Sequence, residues 1–249
     1  MKEAVHSGIG GGICPDSLMI LRNLLNRIEN SSTGEVHKDF HVEIPKNRLE
    51  EVKKVSECIK DKIFESVKFS DGVSPLNNDY YESILNNTWR PTFTVTGITG
   101  FPEHKTAGNV QRPCTNIRIC MRLPPTKNYK EAEKTLVQNL TEKTPFNAKV
   151  ELSELDCSTG YNAKEFSSKL KECLEVASQK AFGKSVQYFG GGGSIPFINT
   201  LANVFSNCEI LVLGVLGPDS NAHIANESLH IPYCKKITTI ISYILNECA

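Results

Sequence analysis

The chain has 249 residues, 39% of them apolar, and its 28 lysines and arginines balance 28 aspartates and glutamates. That is enough chain and enough apolar surface for one large domain or two modest ones with packed cores. A net charge of zero provides no field to draw the protein onto nucleic acid or an anionic membrane, so small near-neutral ligands fit better.

From Pro15 to Ile28, the apolar residues Leu18, Leu21, Leu24, Leu25 and Ile28 recur at helical spacing, with Pro15, Asp16 and Ser17 at the first turn. A second amphipathic helix is expected from Asn47, where Leu49, Val52, Val55, Ile59 and Ile63 sit three or four apart. Ser70 to Asn78 reads as a loop. After Trp89-Arg-Pro91 the β-branched run Thr92 to Thr96 predicts a strand, and Thr115 to Leu123 predicts another with Ile117, Ile119, Met121 and Leu123 on one face. A helix over Lys130 to Glu142 follows, with Ala132, Leu136 and Leu140 on a stripe, and Ala148 to Leu152 predicts a further strand. Helices laid on one side of a small, mostly antiparallel sheet make an α+β layer.

Near Tyr161 the pattern changes. A helix is expected from Ala163 to Ala181, a glycine-rich loop at Phe189 to Pro196, a helix to Phe205, an apolar strand over Glu209 to Val215, and a last helix from Pro232. Helices alternating with a fully apolar strand suggest an α/β layer with a buried sheet. One central strand is too little sheet for a whole domain, which implies that sequence is missing.

No apolar run approaches the ~20 residues that span a bilayer, and Met1 to Gly12 lacks the order of a secretion signal, so a cytoplasmic protein is expected. Nine scattered cysteines with no C-x-x-C pair point to free thiols rather than a disulfide framework or a zinc knuckle.

Three motifs could carry chemistry. Gly190 to Gly193 precede Ser194 and a helix, where a backbone free of side chains and unpaired N–H groups could hold a carboxylate; a flexible turn with Ser194 as helix cap reads equally well. Gly8-Ile-Gly-Gly-Gly12 is no dinucleotide loop, because Ile13 stands where the third glycine of G-x-G-x-x-G belongs. His223, in the polar loop Gly217-Pro-Asp-Ser-Asn-Ala-His-Ile-Ala-Asn-Glu227 behind an apolar run, is either a zinc ligand or a surface imidazole. Neither H-x-x-E-H nor H-E-x-x-H occurs in the chain.

Several segments, in order, resemble the aminoacylase/carnosinase family of dinuclear-zinc metallopeptidases (metallopeptidase family 20), and particularly its cytosolic dipeptidases. They are Ala4-Val-His-Ser-Gly-Ile-Gly-Gly-Gly12, Arg90-Pro-Thr-Phe-Thr-Val-Thr-Gly-Ile98, Asn109-Val110, Ile119-Cys-Met-Arg-Leu-Pro-Pro125, Gly192-Gly-Ser-Ile-Pro196 and the His223 loop. Together they extend over nearly the whole chain.

The resemblance implies a ferredoxin-like two-layer α+β lid for dimerisation over residues 1–162, then the C-terminal segment of an α/β zinc-peptidase catalytic domain over 163–249. It implies that His223 is a terminal metal ligand and that His6 crosses the dimer to polarise the scissile carbonyl of a dipeptide, a contribution of the oxyanion-hole type. By the same resemblance Asn109 is a neighbouring cross-subunit residue, Arg122 grips the substrate carboxylate, and Gly193 and Ser194 cradle it. For Arg122 the reading from the residue alone is an exposed charge on a strand, and for His6 a loop imidazole.

The family's His-x-Asp ligand, bridging aspartate and Glu-Glu pair belong upstream of His6, where this sequence has five residues. A catalytic zinc takes about three protein ligands, and one is recognisable. The expectation is that a complete enzyme uses zinc or manganese, whereas this chain alone holds metal poorly and is inactive. Two readings follow: part of a metallo-dipeptidase that pairs with itself and with an N-terminal catalytic fragment or a full-length paralogue, or a non-catalytic dimerisation module derived from one.

Overall fold

A computed structural model describes residues 1–191, 195–217 and 219–248. In chain order it contains β1 (Val5–His6), α1 (Ser7–Gly10), α2 (Ser17–Leu25), α3 (Lys46–Ile59), α4 (Tyr80–Thr88), β2 (Thr92–Thr99), β3 (Val110–Gln111), β4 (Asn116–Arg122), α5 (Tyr129–Thr141), α6 (Ser168–Phe182), α7 (Pro196–Val204) and α8 (Ile231–Cys248). Two compact units form, one from Met1–Glu43 and Asn86–Gly160, the other from Ile44–Leu85 and Tyr161–Ala249.

The first unit is a two-layer α+β arrangement. Asp16 starts α2 by accepting the Met19 N–H at 2.9 Å, and Asn128 starts α5 by accepting the N–H groups of Lys130 and Glu131 at 3.0 and 3.4 Å. Arg27 then joins the two helices. Its guanidinium donates to the carbonyls of Asn139, Glu142 and Lys143 at 2.9, 2.8 and 2.7 Å, satisfying acceptors that α5 leaves unpaired at its end. Leu24, Ile28, Val36, Phe40, Ala132 and Leu140 form the core, with Ile28 and Phe40 wholly buried. Leu18 is exposed instead, and Ile20 takes a place against that core.

β2 and β4 pair antiparallel from Thr92↔Arg122 to Thr99↔Asn116, with a bulge between Val95 and Gly97. Phe93, Ile119, Met121 and Leu123 turn to the helices, as alternation in β4 requires. The strand expected over Ala148 to Leu152 does not form. Val150 and Leu152 do pack on the core, which is why the sequence alternates, but among the described residues no neighbouring strand shares their backbone hydrogen bonds. The described residues therefore hold two separate two-stranded sheets, β2–β4 and β1–β3, in place of the single sheet of a ferredoxin-like lid.

The second unit is helical. α6 and α8 bury Leu170, Leu174, Ala177, Ile237, Ile240 and Ile244 against each other at heptad-like spacing. α6 starts at Ser168 rather than Ala163, because Ser167 caps it: its Oγ accepts the Leu170 N–H at 3.2 Å and lies 3.0 Å from Glu209 Oε2, while its N–H donates to Oε1 of the same carboxylate. Lys180 lies 4.6 Å from the Tyr243 ring and Lys236 lies 4.9 Å from that of Phe182, adding cation–π contacts between the two helices. α3 joins this unit through Asn47, which donates to Glu165 at 3.2 Å, and Arg48, which donates to the Ala163 carbonyl and pairs with Glu51 at 2.7 Å.

The buried strand expected over Glu209 to Val215, and the buried sheet with it, are also absent. Leu211 and Val215 rest on the helix pair, whereas Val212, Leu213 and Leu216 are exposed, and no strand is present among the described residues of this unit. An apolar run becomes a strand only where another strand accepts its N–H and C=O groups.

Eight described cysteines carry free thiols. Among the described residues no helix is long and apolar enough to cross a membrane.

Candidate functional site

β1 and β3 place two of the expected site residues side by side. Val5 pairs with Gln111 and His6 with Val110, and the Ser7 N–H donates to the Asn109 carbonyl at 2.8 Å. His6 and Asn109, far apart in sequence, thereby become neighbours. His6 is exposed and caps α1, its Nδ1 accepting the Gly8 N–H at 3.0 Å.

The glycines that follow permit this close approach. A Cβ on Gly10 would lie 2.1 Å from Gln111 Oε1 and 2.6 Å from Val5 Cγ1, so only a residue without a side chain lets α1 sit down on β3. Gln111 donates to the Cys14 carbonyl at 3.4 Å, while its buried Oε1 has no hydrogen-bond partner. A two-residue strand does precede the glycine run, but it is antiparallel to β3 and so no part of a βαβ unit.

Arg122 ends β4 opposite Thr92. Ile119 and Met121 point to the core, so strand parity turns the exposed Arg122 to the face away from the helices.

In the second unit, Ser220 organises the loop that carries His223. Only 7% exposed, its Oγ accepts the Gly217 N–H at 2.8 Å and its carbonyl accepts the Ser228 N–H at 2.9 Å. Asn221 spans the turn to the Asn226 carbonyl at 3.3 Å. Asp219, Asn221, His223 and Asn226 all adopt left-handed backbone, with φ of 60°, 54°, 65° and 64°. Asp, Asn and His are the side-chain-bearing residues that accept that conformation most readily, so the four positions mark a tightly turned loop. His223 itself is exposed. Gly193 and Ser194 lie outside the described residues.

A metal site needs more than this. Among the described residues no three His, Cys, Asp or Glu side chains come together to hold an ion, and the His223 imidazole alone does not fit a catalytic zinc, which takes about three protein ligands. Two surface depressions, of about 150 Å³ around Lys164 and Glu209 and about 460 Å³ around Arg22 and Glu29, include none of His6, Asn109, Arg122 or His223.

Two contributors escape a reading of the sequence. Gly8 acts through its backbone N–H, which leaves no compositional trace, and Ser220 hides in a turn-rich string where any serine would pass as solvated. The one available signal for Ser220 was its place among Asp219 and Asn221, residues that favour turns.

No known protein-family model matches the sequence. The chain is similar to a cysteinylglycine-S-conjugate dipeptidase of Corynebacterium striatum, 26% identical over an alignment 239 residues long that covers 92% of this chain and 49% of that protein. Its fold is similar to that of the Saccharomyces cerevisiae di-peptidase Dug1p, with a TM-score of 0.75 and 18% identity over 99% of this chain and 52% of the other. Human carnosine dipeptidase 1 matches with a TM-score of 0.67 and 18% identity over 99% and 52% of the two chains. The M20 family metallo-carboxypeptidase Sso-CP2 of Sulfolobus solfataricus matches with 0.67 and 17% over 97% and 55%. This chain thus spans about half the length of the relatives it matches. Over nearly its whole length the chain is thus similar to dipeptidases and shares a fold with them and with a metallo-carboxypeptidase of the M20 family.

Proposed function

We propose that this chain forms part of a metal-dependent dipeptidase and supplies its dimer-forming lid, substrate clamps and one metal ligand. The observation that carries the reading is the placement of His6 beside Asn109 by the β1–β3 pairing, in a chain that aligns over 92% of its length with a dipeptidase. Residues 1–162, apart from 44–85 that cluster with the second unit, act as the lid that pairs two copies, and 163–249 close the catalytic domain. Arg122 takes the dipeptide's carboxylate in a two-pronged hydrogen bond, a task that suits a planar guanidinium. Gly193 and Ser194 hold the same carboxylate. His6 of one subunit, with Asn109 beside it, reaches the scissile carbonyl bound by the other and donates a hydrogen bond as negative charge gathers on its oxygen. His223 ligates zinc or manganese together with side chains contributed by an N-terminal catalytic segment or a full-length paralogue. The working compartment is the cytoplasm.

A second reading, a dimerisation module without catalysis, is favoured by one observation: the described residues bring no three metal-ligating side chains together. The retained His6, Arg122 and His223 weigh against it, because a lid that only pairs has no use for them.

Capture of the protein from its native source, with assay against cysteinylglycine and other dipeptides, decides between the two. The dipeptidase reading predicts hydrolysis that a chelator abolishes and that Arg122→Ala weakens roughly tenfold to a hundredfold in kcat/KM, the loss of a charged hydrogen-bond pair. Absence of any dipeptide hydrolysis by the native assembly would leave the second reading standing.

A further inference from the structure

We propose that Gly8 is a positioning residue that fixes the tautomer of His6, so that the imidazole presents an N–H on Nε2. A neutral imidazole carries one donor and one acceptor nitrogen, and the partner of one decides the state of the other. Here the partner of Nδ1 is the Gly8 N–H, 3.0 Å away, and a backbone N–H can only donate. Nδ1 must therefore offer its lone pair, and the ring proton resides on Nε2. The exposed ring leaves that donor accessible.

Gly8 suits this task in two ways. It lies in the first turn of α1, where backbone N–H groups have no partner within the helix, so the bond to His6 breaks no other. It also lacks a side chain that would crowd the ring: a Cβ at this position would lie 3.2 Å from His6 Nδ1 and 3.3 Å from Cε1. The backbone beneath is held by the Ser7 bond to Asn109 and by the packing of Gly10 on Gln111. The first part of the glycine run thus orients an imidazole rather than binding an anion. For its use in catalysis this inference rests on the proposed role of His6, since only an N–H can donate to a carbonyl oxygen.

The test is long-range 1H–15N correlation spectroscopy of the full chain labelled at histidine, with His6 assigned by the signals lost in His6→Gln. The expected result is a ratio of Nε2–H to Nδ1–H form roughly fivefold or more above that of the urea-unfolded chain, the change that one ordinary net hydrogen bond sets. Gly8→Ala should bring the ratio towards that of the urea-unfolded chain. His230, which accepts the Tyr233 N–H at 3.1 Å, should not change, and Gly108→Ala, where a Cβ meets nothing within 4 Å, should leave His6 as it was. If His6 of the unaltered chain shows the unfolded ratio or an Nδ1–H majority, the inference is overturned, whether or not Gly8→Ala folds. An unchanged His6 ratio in folded Gly8→Ala overturns the part given to Gly8. Neither measurement involves hydrolysis, so a failure here is separate from a failure of the dipeptidase reading.

Discussion

Single residues hold the candidate site together through the backbone more than through one another. The His223 loop depends on Ser220, whose hydroxyl takes the Gly217 N–H inside the protein. Ser220→Ala leaves that donor without its partner, at a cost of about 1–3 kcal/mol. Amide hydrogen exchange at Gly217 should accelerate roughly fivefold or more, because the local opening free energy falls by that amount. Unchanged protection at Gly217 would mean that the loop is held by something other than this serine. The sequence made His223 and Arg122 conspicuous as residue types, but the roles proposed for them rest on the resemblance alone. Nothing in the letters placed His6 against Asn109, because that neighbourhood depends on two-residue strands too short to leave any alternation.

At the scale of elements, helices were legible and lone strands were not. The periodic stripes before Ile28, after Asn47 and over Lys130 to Glu142 became α2, α3 and α5, since one helix satisfies its own hydrogen bonds wherever its apolar face finds cover. Ala148 to Leu152 and Glu209 to Val215 misled for the opposite reason. Their patterns report which side chains meet a core, as Val150, Leu152, Leu211 and Val215 do, while pairing is decided by another segment. The α6–α8 contact gives a direct test. Leu174 is 4% exposed within it, and Leu174→Ala should destabilise the protein by about 2–5 kcal/mol in denaturant titration. A loss below about 0.5 kcal/mol would place the stability of this unit elsewhere.

The end of α6 should also respond to acid. Glu175 accepts the Gln179 amide at 3.0 Å and the Val186 N–H at 3.1 Å. The Gln179 bond foremost, then one from the Ser185 side chain and the Val186 one, hold its carboxyl below the ordinary value of 4.5. A lowered folded value means that the carboxylate's contribution is complete above the unfolded value and disappears as pH falls through the folded one. Thermal unfolding followed from about pH 7 to about pH 3 should show part of the acid-side loss disappear in Glu175→Gln. Identical acid limbs in the two proteins would contradict the assignment.

For the whole molecule, the described residues contain substrate clamps and a dimer-forming lid in the proposed reading, together with one imidazole that cannot hold a catalytic metal by itself. Exposed apolar side chains such as Phe197, Val204, Val212 and Leu216 on the second unit agree with a partner segment that covers them. The resemblance to the dipeptidases was legible in the order of short motifs; the completeness of a metal centre was not, because ligands from separate segments meet only in three dimensions. The most direct measurement is the metal content of the native assembly, captured with the chain unaltered and with His223→Ala. The account predicts a polypeptide or complex well above 27.6 kDa that retains zinc or manganese and loses much of it on the substitution. Metal content that His223→Ala leaves untouched, or a lone chain of this mass that binds a full equivalent of zinc by itself, would contradict it.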